Sequence, residues 1–139
     1  MPTKGTDTIR RKPTVVLADD HPATLRAITI LLDPSFEVLA TVDDGLRALQ
    51  AAEIFRPDLI VLDIGMPGID GFEAARRIRS KALPIRIVFL TIAEDLDFLK
   101  TASELGAGYI VKRRMHSDLL PAAADALTGH LFVSPFAPL

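Results

Sequence analysis

Four apolar runs in this chain each end in a polar side chain that could do chemistry: TVVLAD (14–19), DLIVLD (58–63), IRIVFLT (85–91) and GYIVK (108–112). They deliver Asp19-Asp20, Asp63, Thr91 and Lys112. Strands that neighbour one another in a sheet lie about 4.8 Å apart, so carboxylates ending such strands stand within several ångströms. Two like charges about 4 Å apart repel by about 4 kcal/mol at an effective dielectric of about 20. Either one carboxyl protonates or a cation neutralises them. An all-oxygen donor set without Cys or His favours Mg²⁺ or a similarly hard ion. Lys112 cannot ligate a metal, but its ammonium can pair with Asp63 or with a phosphate oxygen. A carboxylate ringed by a hard cation, an ammonium and a hydroxyl is an electrostatic cradle suited to phosphoryl transfer.

Aspartates also cap helices and begin turns. Capping is a fair account of Asp20, just before His21-Pro22, and the preferred one for Asp44 and Asp70. It does not account for Asp63, which is followed by Ile64-Gly65-Met66-Pro67 rather than by a helix, nor for Lys112. His21 reads better as a helix-start residue than as a metal ligand.

The elements that must position these groups alternate along the chain. LRAITILL (25–32) has helical spacing and stops before Pro34; FEVLATV (36–42) reads as a strand. Asp43-Asp44-Gly45 caps a helix through about Phe55, a third helix is expected over 70–81, and a fourth over 95–105. A last helix is expected over 118–128, ending at Gly129, a good residue just past a helix end. Pro121 is tolerable only in a first turn, so that helix is expected to begin later than 118 rather than earlier. The run at 58–63 is apolar throughout, as expected of a strand buried on both faces. Five β-α pairs imply an α/β fold with a parallel sheet, right-handed crossovers and helices on both faces. In such sheets ligands bind beyond the carboxyl ends of the strands, where the polar residues fall.

The 139 residues fit one domain. With 49% hydrophobic and 24% charged residues the composition is that of an ordinary globular protein. The absence of cysteine excludes disulfides and thiolate metal sites and suits the cytoplasm. A net charge of −2 argues against a generally basic nucleic-acid-binding surface. No apolar run reaches the roughly 18 residues of a membrane span. Residues 1–13 lack the apolar core of a signal peptide and read as a disordered arm. Its cluster Arg10, Arg11, Lys12 reads as a solvated tail rather than a nucleic-acid contact.

LIVLDIGMPGIDGFE (59–73), LADDHP (17–22) and GAGYIVK (106–112) resemble the phosphorylation-site signature, the acidic pair and the lysine segment of CheY-like receiver domains. The resemblance covers about residues 14–129 and implies a flavodoxin-like (βα)5 doubly wound sheet of order 2-1-3-4-5. By it, Asp63 is the phosphoacceptor. Asp20, Asp63 and the backbone carbonyl of Gly65 ligate Mg²⁺, with Asp19 acting through water. Thr91 and Lys112 bind the phosphoryl group, and Tyr109 matches the family's switch aromatic; plain half-buried packing is an equally open reading of Tyr109. The implied phosphoryl source is a sensor histidine kinase, and a phosphorylation-dependent homodimer is among the implied states.

ADDHP, GAGYIVK and TGHLFVSP (128–135) further resemble receivers of LuxR-type (NarL/FixJ-like) regulators. In those a linker and a helix-turn-helix domain follow, so contact with DNA is expected only through an output domain outside this chain. Residues 130–139 read as a tail or the start of such a linker, in an excised or stand-alone receiver. The chain departs from the family pattern at three places. Arg113 replaces the proline that usually follows the lysine, so the Lys112–Arg113 bond is expected to be trans. Ile92 stands where many receivers carry a small residue and is expected to narrow access to Asp63. Gly65 and Ala93 carry no side chain able to steer an attacking water. A pseudo-receiver, keeping the fold as an interaction module without phosphorylation, is the alternative. An Mg²⁺-dependent phosphatase is disfavoured because Gly65 stands where its second aspartate would. No GxGxxG or GxxxxGK[ST] pattern indicates nucleotide binding.

Overall fold

The computed structural model describes residues 11–138; most of the expected N-terminal arm, Arg10 included, lies outside them. Five strands, β1 (Thr14–Ala18), β2 (Glu37–Val42), β3 (Leu59–Leu62), β4 (Arg86–Thr91) and β5 (Gly108–Val111), alternate with five helices. These are α1 (Pro22–Leu32), α2 (Gly45–Phe55), α3 (Gly71–Ser80), α4 (Leu96–Glu104) and α5 (Met115–Leu127). The strands form one parallel sheet in the order β2-β1-β3-β4-β5, the flavodoxin-like order expected. The order reverses between β1 and β3, which opens a crevice outside their carboxyl ends.

Period-two alternation decides which helix each strand residue meets. Val16, Ala18, Ile60, Leu62, Ile87, Phe89 and Tyr109 face α2, α3 and α4. Val15, Leu17, Leu59, Val61, Val88, Leu90 and Ile110 face α1 and α5. Both faces are dry, which is why β3 and β5 are buried along their whole length.

Local chemistry fixes most boundaries. Asp44, Asp70 and Asp95 each accept a hydrogen bond from a backbone N–H in the first turn of α2, α3 and α4, which satisfies one of the orphan donors of a helix start. Thr128 caps the end of α5 and Gly129 follows at φ +84°, as expected. α1 starts a turn earlier than its apolar pattern suggests, because Pro22 occupies its first turn, where a missing N–H costs nothing.

The last helix corrects the sequence reading. It begins at Met115, directly after a 3-10 turn at Lys112–Arg114, and carries Pro121 in its interior. Propensity loses to packing here. Asp118, in the first turn, is held by Arg114, Ser117 and Ser134, while Leu119, Ala122, Ala123 and Ala126 are buried against the sheet.

Beyond Gly129 the chain does not leave the body. It turns back and runs along the outer edge of β5, where Tyr109 N donates to Phe132 O and Ser134 N donates to Tyr109 O, both at 2.9 Å. Gly108 permits the approach: a Cβ there would stand 3.2 Å from Phe132 O, tighter than ordinary van der Waals contact.

Candidate functional site

The crevice between β1 and β3 collects the acidic residues. Asp19 and Asp20 follow β1 and Asp63 follows β3, and the register of the two strands sets Ala18 beside Leu62. Asp63 N donates to Ala18 O at 2.9 Å, so the pairing that builds the sheet also sets Asp63 beside the acidic pair. Gly71, the first residue of α3, has a reason to be glycine: a Cβ there would lie 2.2 Å from Asp63 O. The loop after β3 can therefore fold tightly under the carboxylate.

One ligand atom each from Asp19, Asp20, His21 and Asp63 lies within 4.8 Å of the others. Asp19 is 1% exposed and Asp63 5%, whereas Asp20 is open to solvent. Lys112 Nζ stands 2.7 Å from Asp19 Oδ2 and 3.5 Å from Asp63 Oδ2. The expectation that Lys112 pairs with Asp63 is thus met only by its longer contact; its nearer partner is Asp19. The nearer approach is poorly angled, and Asp19 Oδ2 has no hydrogen-bond donor. Burial, and then the charge of Asp19, push the Asp63 carboxyl above its ordinary value. Lys112 and the Gly65 N–H, which donates to Asp63 Oδ1 at 3.3 Å, only partly offset this.

Thr91, Lys112, Asp63, Gly65 and His21 line one open cleft of about 230 Å³. Ile92 lines it too, yet the residue is 82% exposed, so it flanks the mouth rather than plugging it. Thr91 Oγ1 accepts from Ala93 N at 3.2 Å. Tyr109 is fully buried and absent from the cleft, and its hydroxyl donates to Ala93 O at 2.7 Å. Burial pushes its phenol up to about 12. Of the two open readings of Tyr109, the structure favours neither alone: the ring is core, while the hydroxyl reaches the loop that follows Thr91.

The sequence missed the place of His21. It does precede α1, as read, but its Nδ1 also lies 2.8 Å from Asp19 Oδ1 and 3.1 Å from Asp20 Oδ1. Adjacency to the acidic pair was the available signal. Arg113, which stands where the proline usually follows the lysine, reaches the loop after β4. Its guanidinium is bonded to both carboxylate oxygens of Glu94, at 3.0 and 2.8 Å, and holds Glu94 at about 2, far below the usual carboxylate range. All peptide bonds among the described residues are trans, that of Arg113 included.

The donor set fits a hard divalent cation. Three carboxylates converge with one ammonium among them, a buried oxygen of Asp19 lacks a well-aligned donor, and burial together with the charge of Asp19 raises the Asp63 carboxyl above its ordinary value.

Residues 15–125 match the response regulator receiver domain family. The nitrate/nitrite response regulator protein NarL of Escherichia coli K12 is 35% identical over 124 residues, which is 87% of this chain and 57% of NarL. The chain thus spans little more than half the length of such curated relatives. Among solved structures it is similar to a LuxR-family two-component response regulator from Aurantimonas sp. SI85-9A1, with TM-score 0.84, 31% identity and coverage of 90% and 91%. The response regulator domain of Thermotoga maritima CheB has TM-score 0.77 and 27% identity, covering 90% of this chain and all of that one.

Proposed function

The chain belongs to the response regulator receiver domain family, and we propose that it accepts a phosphoryl group on Asp63 in a Mg²⁺-dependent reaction and changes conformation in response. It is a receiver of the LuxR type, at home in two-component signalling. The observation that carries the proposal is the clustering of Asp19, Asp20 and Asp63 around a single lysine at the sheet's carboxyl edge.

Asp20, Asp63 and the Gly65 carbonyl would hold the ion, with Asp19 acting through water. When bound, the ion supplies positive charge against the oxygens of the incoming phosphoryl group. An Asp63 carboxylate oxygen attacks phosphorus in line; the new P–O bond forms as the bond to the donor's leaving group breaks. Lys112, within 3.5 Å of Asp63, neutralises charge that accumulates on the phosphoryl oxygens. The Thr91 hydroxyl, on the same cleft, hydrogen-bonds the group once it has arrived, and the loop through Ala93 to Tyr109 follows it. The donor is a phosphohistidine of a sensor kinase. The chain catalyses only its own phosphorylation and dephosphorylation. We place it in the cytoplasm, acting on transcription through a helix-turn-helix output domain outside this chain.

Mass spectrometry tests this directly. With Mg²⁺ and a small phosphodonor the wild type should gain one phosphoryl group. Asp63→Asn, which keeps the shape and removes the anionic oxygen, should gain none. Labelling of Asp63→Asn at the wild-type level moves the site elsewhere; no labelling of wild type by donor or kinase favours a pseudo-receiver.

A further inference from the structure

We propose that residues 131–138 form a strap on the outer edge of β5 whose grip is set by the loop carrying Thr91, so that an occupied phosphoryl site loosens it. This rests on the function proposed above. β5 is the last strand of the sheet, and its outer edge would otherwise present unpaired backbone groups. The strap covers that edge and is clamped at two points of different kind.

The first clamp makes no side-chain bond to the residues that line the cleft. Ser134 is buried; its hydroxyl donates to Asp118 Oδ2 at 2.7 Å and accepts from Val111 N at 3.3 Å. Asp118 is itself fixed by Arg114 and Ser117 within α5 and the turn before it. None of its side-chain bonds is made to residues 91–94, although Val111 is the register partner of Thr91 in the sheet.

The second clamp is made by residues 91–94. Glu94 accepts from the backbone N–H of Ala137, and also from Arg113, which in turn donates to Pro135 O at 3.2 Å. One residue earlier, Ala93 O accepts the Tyr109 hydroxyl, and the Tyr109 ring lies against Phe136 with centroids 5.8 Å apart. Ala93 N in turn donates to Thr91 Oγ1. A Thr91 hydroxyl that turns toward a phosphoryl group gives up its place over Ala93 N. Ala93 and Glu94 are then free to shift, and both ties to Phe136 and Ala137 go with them. A state change can be transmitted only through contacts that differ between the states, and these differ while the Ser134 clamp does not. The distal half of the strap, 135–138, should therefore loosen more than Ser134.

Amide hydrogen exchange read by NMR, on wild type in Mg²⁺ with and without beryllofluoride, tests the strap. Occupancy is verified first by shifts at Asp63 and Gly65. We expect exchange at Ala137 to rise about tenfold on occupancy, with a smaller rise at Ser134. In Glu94→Ala, which removes the acceptor of the Ala137 N–H, Ala137 should already exchange fast without the mimic. In Tyr109→Phe, which keeps the ring on Phe136 but cuts its tie to Ala93, the mimic-induced rise should shrink. If the mimic leaves Asp63 and Gly65 unshifted, the proposed function fails and the strap coupling with it. If the mimic binds and exchange at Ala137 stays within about twofold, or slows, the coupling is overturned and the proposed function stands.

Discussion

Of the three buried carboxylates among the described residues, Asp63 and Asp118, 5% and 4% exposed, are treated in opposite ways. Asp118 accepts two bonds from Arg114 and one each from Ser117 and Ser134, and these hold it below its ordinary value despite its burial. Asp63 accepts from Gly65 N and, at 3.5 Å, from Lys112, with Asp19 close by, and is held above it. The same group at the same depth is satisfied in one place and under-satisfied in the other. A fully satisfied buried carboxylate adds to the fold. An under-satisfied one subtracts from it, and keeps free the coordination that a cation and a phosphoryl group would fill.

The contrast predicts opposite signs for two substitutions. Asp118→Ala leaves Arg114 without its partner and Ser134 without an acceptor; it should destabilise by roughly 2–3 kcal/mol, read as a lower denaturant midpoint at unchanged slope. A neutral Asp118→Ala would break the comparison on its structural side.

Asp63→Asn should do the reverse, stabilising at neutral pH by about 1 kcal/mol, the scale of relieving one under-satisfied buried charge. Because the folded-state value of Asp63 is raised, its contribution is intact below the unfolded value, 3.8, and is lost as pH rises through the folded one. The gain of Asp63→Asn should accordingly vanish on acidification to pH values below 3.8, where wild type and variant carry the same charge. Asp118, held low, should contribute fully above 3.8 and lose its contribution as pH falls through its lowered value. Thermal melts of wild type and both variants across this range sharpen the comparison. A pH-independent gain in Asp63→Asn would trace it to something other than ionisation.

An effect no larger should come from the cation. Mg²⁺ at about five times its Kd should add about 1 kcal/mol to wild type and to Asp118→Ala, and less to Asp63→Asn. In an NMR titration its shifts should centre on residues 19–20 and 63–65; shifts centred elsewhere would move the metal site.

Much of this was legible in the sequence, because the governing interactions are local or periodic. The apolar run at 59–62, the caps Asp44 and Asp70, and the charged residues ending apolar runs indicate a parallel sheet with its polar edge at Asp19, Asp20, Asp63 and Lys112. Period-two burial requires no knowledge of the partner. Tertiary structure alone decided the rest. It started α5 at Met115 in spite of Pro121, because the Asp118 cluster and the buried alanines outweigh one lost hydrogen bond. It gave Lys112 to Asp19 before Asp63, a choice between two carboxylates of the same type that only distance makes. It put His21 over the acidic pair, and it folded residues 131–138 back along β5, because an open sheet edge and a buried Ser134–Asp118 bond exist only once distant parts of the chain have met.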